Sequence, residues 1–144
     1  MNLFGMLEVS GSAMGAERWR AEVVSANMAN AETTRTSAGG PYRRQLVVFR
    51  GRALPRFPLL LADLHRPVEQ GIRVDGVVPD ASPLPRRYDP GNPDADSGGY
   101  VTYPNVNPVL EMTDLLSAAR AYQLNAAAVQ TAKNMLQQSL QILS

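Results

Sequence analysis

Apolar positions recur at alternating three- and four-residue steps at both ends of the chain, but not between them. Near the start, one such row is Leu3, Leu7, Ser10, Met14, Glu17, Ala21, Val24, Met28 and Ala31. A neighbouring row is Met6, Val9, Ala13, Ala16, Arg20, Val23 and Asn27. Together they form a broad face of an amphipathic helix expected over residues 2–34. The face suits an ordinary core or a coiled-coil seam equally. Gly39-Gly40-Pro41 reads as its stop. Trp19 reads as a packing residue.

Near the end, Met112, Leu115, Ala119, Tyr122, Ala126, Val129, Leu136, Leu140 and Leu143 keep a heptad broken only by Lys133. A second row, with Ala118, Ala121, Asn125, Ala128, Ala132, Met135, Ser139 and Ile142, is mostly small and would admit a close neighbouring helix. Pro108 suits a helix start, and Glu111 and Asp114 suit its positive end. A continuous helix over 109–144 would run about 50 Å, longer than the roughly 30 Å breadth of a compact domain this size. It must therefore pair with the first helix or with other molecules.

Between these rows lie short apolar runs bounded by turn formers. Tyr42–Phe49, Ile72–Val78 and Tyr100–Tyr103 read as strands. The expected architecture is α+β. Long N- and C-terminal helices pack as a coiled-coil-like pair around a small, β-rich, Pro-rich insert. The divisions are 1–34, 35–108 and 109–144.

Composition sharpens this picture. All 11 prolines fall between Pro41 and Pro108, and all six methionines fall outside that window. Proline is excluded from helix interiors, so its placement marks the insert. The 144-residue chain carries a net charge of +1, so no global field calls for nucleic acid or an anionic membrane. Cysteine is absent, which removes disulfides, thiolate metal sites and cysteine nucleophiles. His65 is the single histidine. No apolar run approaches a membrane span. The start lacks a basic n-region, so a cleavable secretory signal is not expected.

Candidate chemistry is sparse. Asp94 and Asp96 begin like a calcium loop, but Gly98 and Asn105 stand at its fifth and twelfth positions, where ligands are needed. The same pair could serve as general acid and base, yet no other residues mark a pocket. Neither an enzyme nor a cofactor or metal site is expected. The insert holds Arg35, Arg43, Arg44, Arg50, Arg52, Arg56, Arg66, Arg73, Arg86 and Arg87. A small helical module with an Arg-rich nucleic-acid face is the alternative of another class. Against it, the arginines share no helix and are not interleaved with stacking aromatics.

Ser25-Ala26-Asn27-Met28-Ala29-Asn30-Ala31-Glu32-Thr33 resembles the N-terminal signature of bacterial flagellar rod, hook and hook-associated proteins. Its fixed positions are Ser25, Asn27, Ala29, Asn30 and Thr33. The run from Glu111-Met112 through Arg120, Tyr122 and Asn125 is similar to their C-terminal signature. With Leu115, Ala119, Val129, Leu136 and Leu140 it forms the expected assembly seam. Between them, Pro41-Tyr42-Arg43 and Tyr88-Asp89-Pro90-Gly91-Asn92-Pro93 resemble one rod subgroup. So do Asp96, Gly99-Tyr100 and Pro104-Asn105. Asn92 departs from the histidine often found there, and 53–84 matches nothing in the pattern.

The resemblance implies a subunit of the proximal rod, built helically in the periplasm as part of the drive shaft that carries motor torque to the hook. Copies of itself, other rod proteins and the base on which the rod grows are the implied partners. It also implies passage through the flagellar type III export apparatus without cleavage, and terminal segments that order on assembly. Asn27 and Asn30 could bond groups of a neighbour in the rod wall or serve as a polar cap at the helix end. The 57–61 stretch is a candidate export contact.

Overall fold

The computed structural model describes residues 3–53 and 69–142. His65, Arg56, Arg66 and the 57–61 stretch lie outside the described residues. Helix α1 spans Leu3–Ala29 and helix α2 spans Pro108–Ile142. Between them come β1 (Gln45–Ala53), β2 (Glu69–Pro79), β3 (Arg86–Tyr88) and β4 (Tyr100–Thr102). The architecture is α+β, with two long helices around a small antiparallel insert.

Helix α1 ends earlier than its apolar rows suggested, and Asn30 is the reason. Its backbone N–H is shared between the carbonyls of Ala26 and Asn27, and its side chain also donates to Ala26 O at 2.9 Å. An asparagine that bonds its own helix's backbone favours caps over interiors. Gly39 and Gly40 do not stop the helix. They lie at φ 86° and 75° in a later tight turn, where Gly39 N–H donates to Thr36 O and Thr36 N–H donates to Gly40 O.

Helix α2 begins as expected from Pro108. Asn107 Oδ1 accepts the N–H groups of Val109 and Leu110, two of the donors a helix start leaves open.

Strands β1 and β2 form one antiparallel hairpin, and β3 and β4 a second. The first begins at Gln45, not Tyr42, because the residues before it turn inward to other partners. Val48 pairs with Gly76 and Phe49 with Val74, so Asp75 is an extra residue in a bulge. Strand β3 was not expected. Arg86-Arg87-Tyr88 has no alternation to betray it, and pairing with Tyr100–Thr102 makes it a strand.

Helix α1 packs along α2, and the first hairpin packs on α1. The hairpin is tied to α1 at two heights. Ser12 Oγ accepts Ile72 N–H at 3.0 Å, and the Asn27 amide holds Gln45.

Among the described residues, the buried aliphatic side chains are small: Ala16, Val24, Val101, Ala118 and Ala132. On α2 the buried row against α1 is Glu111, Ala118 and Ala132, the last two from the small-residue stripe. Of the expected seam, Met112, Ala119, Tyr122 and Leu140 are exposed, and Leu115, Val129 and Leu136 are half-buried. Small side chains let two helix backbones approach, so the bulkier row is displaced from the intrachain contact. Trp19, read as a packing residue, is 53% exposed beside Gly15, Ile72 and Val77.

Candidate functional site

The most constrained chemistry in the molecule is a buried polar knot where the end of α1, the start of β1 and the start of α2 converge. Asn27 is 1% exposed and Glu111 is fully buried. Asn27 Nδ2 donates to Glu111 Oε2 at 3.0 Å and to Gln45 O at 2.9 Å. Asn27 Oδ1 accepts Gln45 N–H at 2.8 Å and the Tyr42 hydroxyl at 2.9 Å. Both amide protons and both acceptor positions are thereby used, as burial of an asparagine requires.

Arg44 supplies the cation. Its Nε donates to Glu111 Oε1 at 2.5 Å, and its Nη2 reaches Asp114 Oδ2 at 3.2 Å. Asp114 also accepts Arg20 Nη2 at 3.1 Å from α1. The Arg44 backbone N–H donates to Asn105 Oδ1 at 2.9 Å, and Asp80 N–H donates to Arg44 O at 2.8 Å. One residue thus joins α2, the first hairpin and the segment leading into α2. A buried charge is tolerated only with such a partner set. Burial raises the Tyr42 hydroxyl above its ordinary pKa, and the nearby Glu111 carboxylate pushes it the same way.

The insert motif forms the loop of the second hairpin. Asp96 closes it. Its Oδ1 accepts the N–H groups of Gly98 and Tyr100, both at 2.9 Å, and its Oδ2 meets the Arg86 guanidinium. The Tyr100 N–H bond holds the Asp96 carboxyl below its ordinary range, and Gly98 N–H and Arg86 act the same way against partial desolvation.

Tyr88 and Tyr100 meet edge to face at 5.3 Å. Gly99 lies at φ 77° beneath Tyr88. Asp89 N–H donates to Gly99 O, Asp89 Oδ2 accepts the Tyr103 hydroxyl, and Pro104 is buried. Pro90 packs near Gly99, whereas Gly91 and Pro93 are exposed. Asp94 faces away from the loop, accepting Thr34 Oγ1 at 2.7 Å and pairing with Arg35 at 3.5 Å. These partners occupy both carboxylates of the calcium-like segment.

The structure brings Asn27, Asn105 and Glu111 together and leaves other signature residues apart. Asn30 caps α1, and its Oδ1 accepts the Thr33 hydroxyl. Ser25, Ala29 and Arg120 are exposed. Asn125 is half-buried and donates to Ala121 O of its own helix. Arg20, Tyr42, Arg44, Gln45 and Asp114 were not singled out as site residues. Only the Tyr42-bearing motif and the acid at Asp114 hinted at them.

Residues 7–35 match the family described as flagella basal body rod protein. Residues 97–142 match the one described as flagellar basal body rod FlgEFG protein C-terminal. The flagellar basal-body rod protein FlgC of Borreliella burgdorferi is 41% identical over 99% of this chain and 99% of its own. The chain belongs to the FlgC family of flagellar basal-body rod proteins. FlgC of Bacillus subtilis is 38% identical over 99% of both chains, and FlgC of Salmonella typhimurium 36% over 97% of both.

FlgC proteins are structural rod subunits, a family not known for enzymatic activity. The nucleic-acid alternative gains no support. Arg35, Arg44, Arg50, Arg73 and Arg86 each face a carboxylate of this chain. The two regions matched by the rod-family models meet in the knot, since Asn27 lies in the first and Glu111 in the second.

Proposed function

We propose that this chain is a proximal-rod subunit that assembles helically with copies of itself and with other rod proteins on the base from which the rod grows. The rod acts as the drive shaft carrying motor torque to the hook. The subunit reaches the periplasm through the flagellar type III export apparatus.

The observation carrying this reading is the surface of α2. Among the described residues, Leu110, Met112, Leu116, Tyr122, Leu124, Met135 and Leu140 are exposed on it. A helix apolar on several sides is one that assembly buries. A non-closing contact between copies gives a helical filament. Interlocked helices supply the stiffness that torque transmission needs.

Deletion of the gene with imaging of purified basal bodies tests the role. Rods should be missing, and complete rods in the deletion strain would refute it. The assembled form should show more helix by circular dichroism than the free subunit, because ordering costs are offset by burial between subunits. Equal helicity would refute ordering on assembly.

A further inference from the structure

We propose that the Asn27–Glu111–Arg44 knot is a register lock, which selects one axial alignment of α1 and α2 that their apolar seam determines only weakly. The proposal concerns the fold of this chain and stands apart from the rod assignment.

The centre of the seam indexes the helices only weakly. Its fully buried residues are small, Ser10 and Val24 on α1 and Ala118 and Ala132 on α2, and the larger Leu115, Val129 and Leu136 are half-buried at its margins. Small side chains make shallow knobs and shallow holes. Sliding one helix by a turn of about 5.4 Å replaces small against small along that centre. Asn125 adds no constraint, because its amide donates to its own helix. Glu17 likewise pairs with Arg20 of its own helix, at 3.8 Å.

Among the described residues, two side-chain hydrogen bonds join α1 directly to α2: Asn27 to Glu111 and Arg20 to Asp114. Both lie at one end of the pair, and Arg44 bridges their two carboxylates. A slip of one turn sets Glu111 against the Val23–Val24 stretch of α1 and strands its carboxylate. A slip the other way carries it past the end of α1 at Ala29. A buried polar residue that fixes register at a cost in stability is the best-attested role for such groups.

The lock also sets the height of the first hairpin. Asn27 grips both peptide groups of Gln45 while it holds Glu111. Each subunit therefore presents its hairpin at one level along the helix pair.

The cysteine-free chain allows a clean test. Spin labels at Arg18→Cys and Gln138→Cys, both exposed positions, report the axial offset of the helices in the full-length protein in its assembled form, diluted with unlabelled chain. With the knot intact, and in Glu111→Gln, which keeps an acceptor for Asn27, one narrow distance population is expected. Two variants remove the lock. The milder is Asn27→Leu with Glu111→Leu, where Arg44 keeps Asp114. The fuller adds Arg44→Met and Asp114→Ala.

Helicity should persist, and a second population should appear, displaced by about 5 Å. A single narrow population at the original distance in the milder variant overturns the proposal, whether or not the fuller variant folds. Two populations, or one broad distribution, in the protein with its knot intact also overturn it.

Discussion

Asn27 and Glu111, 84 residues apart in sequence, meet side chain to side chain at 3.0 Å with no access to water. The contact closes the chain's two ends on each other, and Arg44 provides the charge that makes it tolerable. Glu111→Ala removes the acceptor for Asn27 and leaves Arg44 with Asp114 alone. Arg44→Ala leaves the buried carboxylate without its cation. Each should cost about 3–5 kcal/mol, the range for breaking a buried pair. The double variant should cost less than the sum of the two. Urea unfolding monitored by circular dichroism measures all three, and additive losses would show that the pair is uncoupled.

Asn27→Asp is nearly isosteric yet should be worse than Asn27→Ala. The new side chain has no amide proton for Glu111 or Gln45 O, and it sets a carboxylate against a carboxylate. Asn27→Ala should cost about 1–3 kcal/mol through the polar groups it leaves unpaired. The order of midpoints in thermal unfolding decides this, and an aspartate more stable than alanine would contradict the assigned amide orientation.

How much of this was legible in the sequence depends on the range of the interaction. The Asn107–Pro108 start of α2 is a local signal and was readable. Glu111 was readable as a first-turn acid, but its burial was not, because its partners stand at positions 27 and 44. Arg44 was one among ten insert arginines, with nothing local to mark it. The small-residue row of α2 was readable as a face for a close neighbouring helix, but not that the neighbour would be α1, which Ala118 and Ala132 face. Strand β3 exists only through its pairing with β4.

Two glycines should respond oppositely to alanine. Gly99 lies at φ 77°, and a Cβ there would sit 2.8 Å from Tyr88 Cε2. Gly99→Ala should destabilise by about 1–3 kcal/mol through backbone strain and by pushing Tyr88 off Tyr100. Gly15 is helical with nothing within 4 Å of its would-be Cβ. Gly15→Ala should stabilise the free subunit by about 0.5–1 kcal/mol. Thermal unfolding of the two purified variants reads both signs.

Stability should fall at both extremes of pH for identifiable groups. Asp80 is held below its ordinary pKa of 3.8, first by the Ser82 hydroxyl, and Asp96 first by Tyr100 N–H. A lowered carboxyl pKa stabilises the fold above the unfolded value, and that contribution is lost as pH falls through the folded one. Tyr42 is raised above 10.0, so its contribution is present below the unfolded value and lost as pH rises through the folded one. Asp96→Asn should flatten the acid limb of a stability–pH profile, and Tyr42→Phe the alkaline limb. Unchanged limbs would exclude these groups as the source.

The heptad row on α2 should matter to assembly more than to the free subunit. Tyr122 is exposed and Leu115 and Leu136 are half-buried, while the intrachain contact runs through Ala118 and Ala132. Tyr122→Asp, Leu115→Asp or Leu136→Asp should leave the subunit soluble. Each would place a carboxylate where a neighbouring helix must exclude water, at a cost of several kcal/mol per contact. Ala118→Asp should differ, because it strikes the α1–α2 contact inside the subunit and should lower its thermal midpoint. Incorporation into purified basal bodies, read beside the subunit's melting curve, separates the two classes. Normal incorporation of all three heptad variants would place the intersubunit contact on another face of α2.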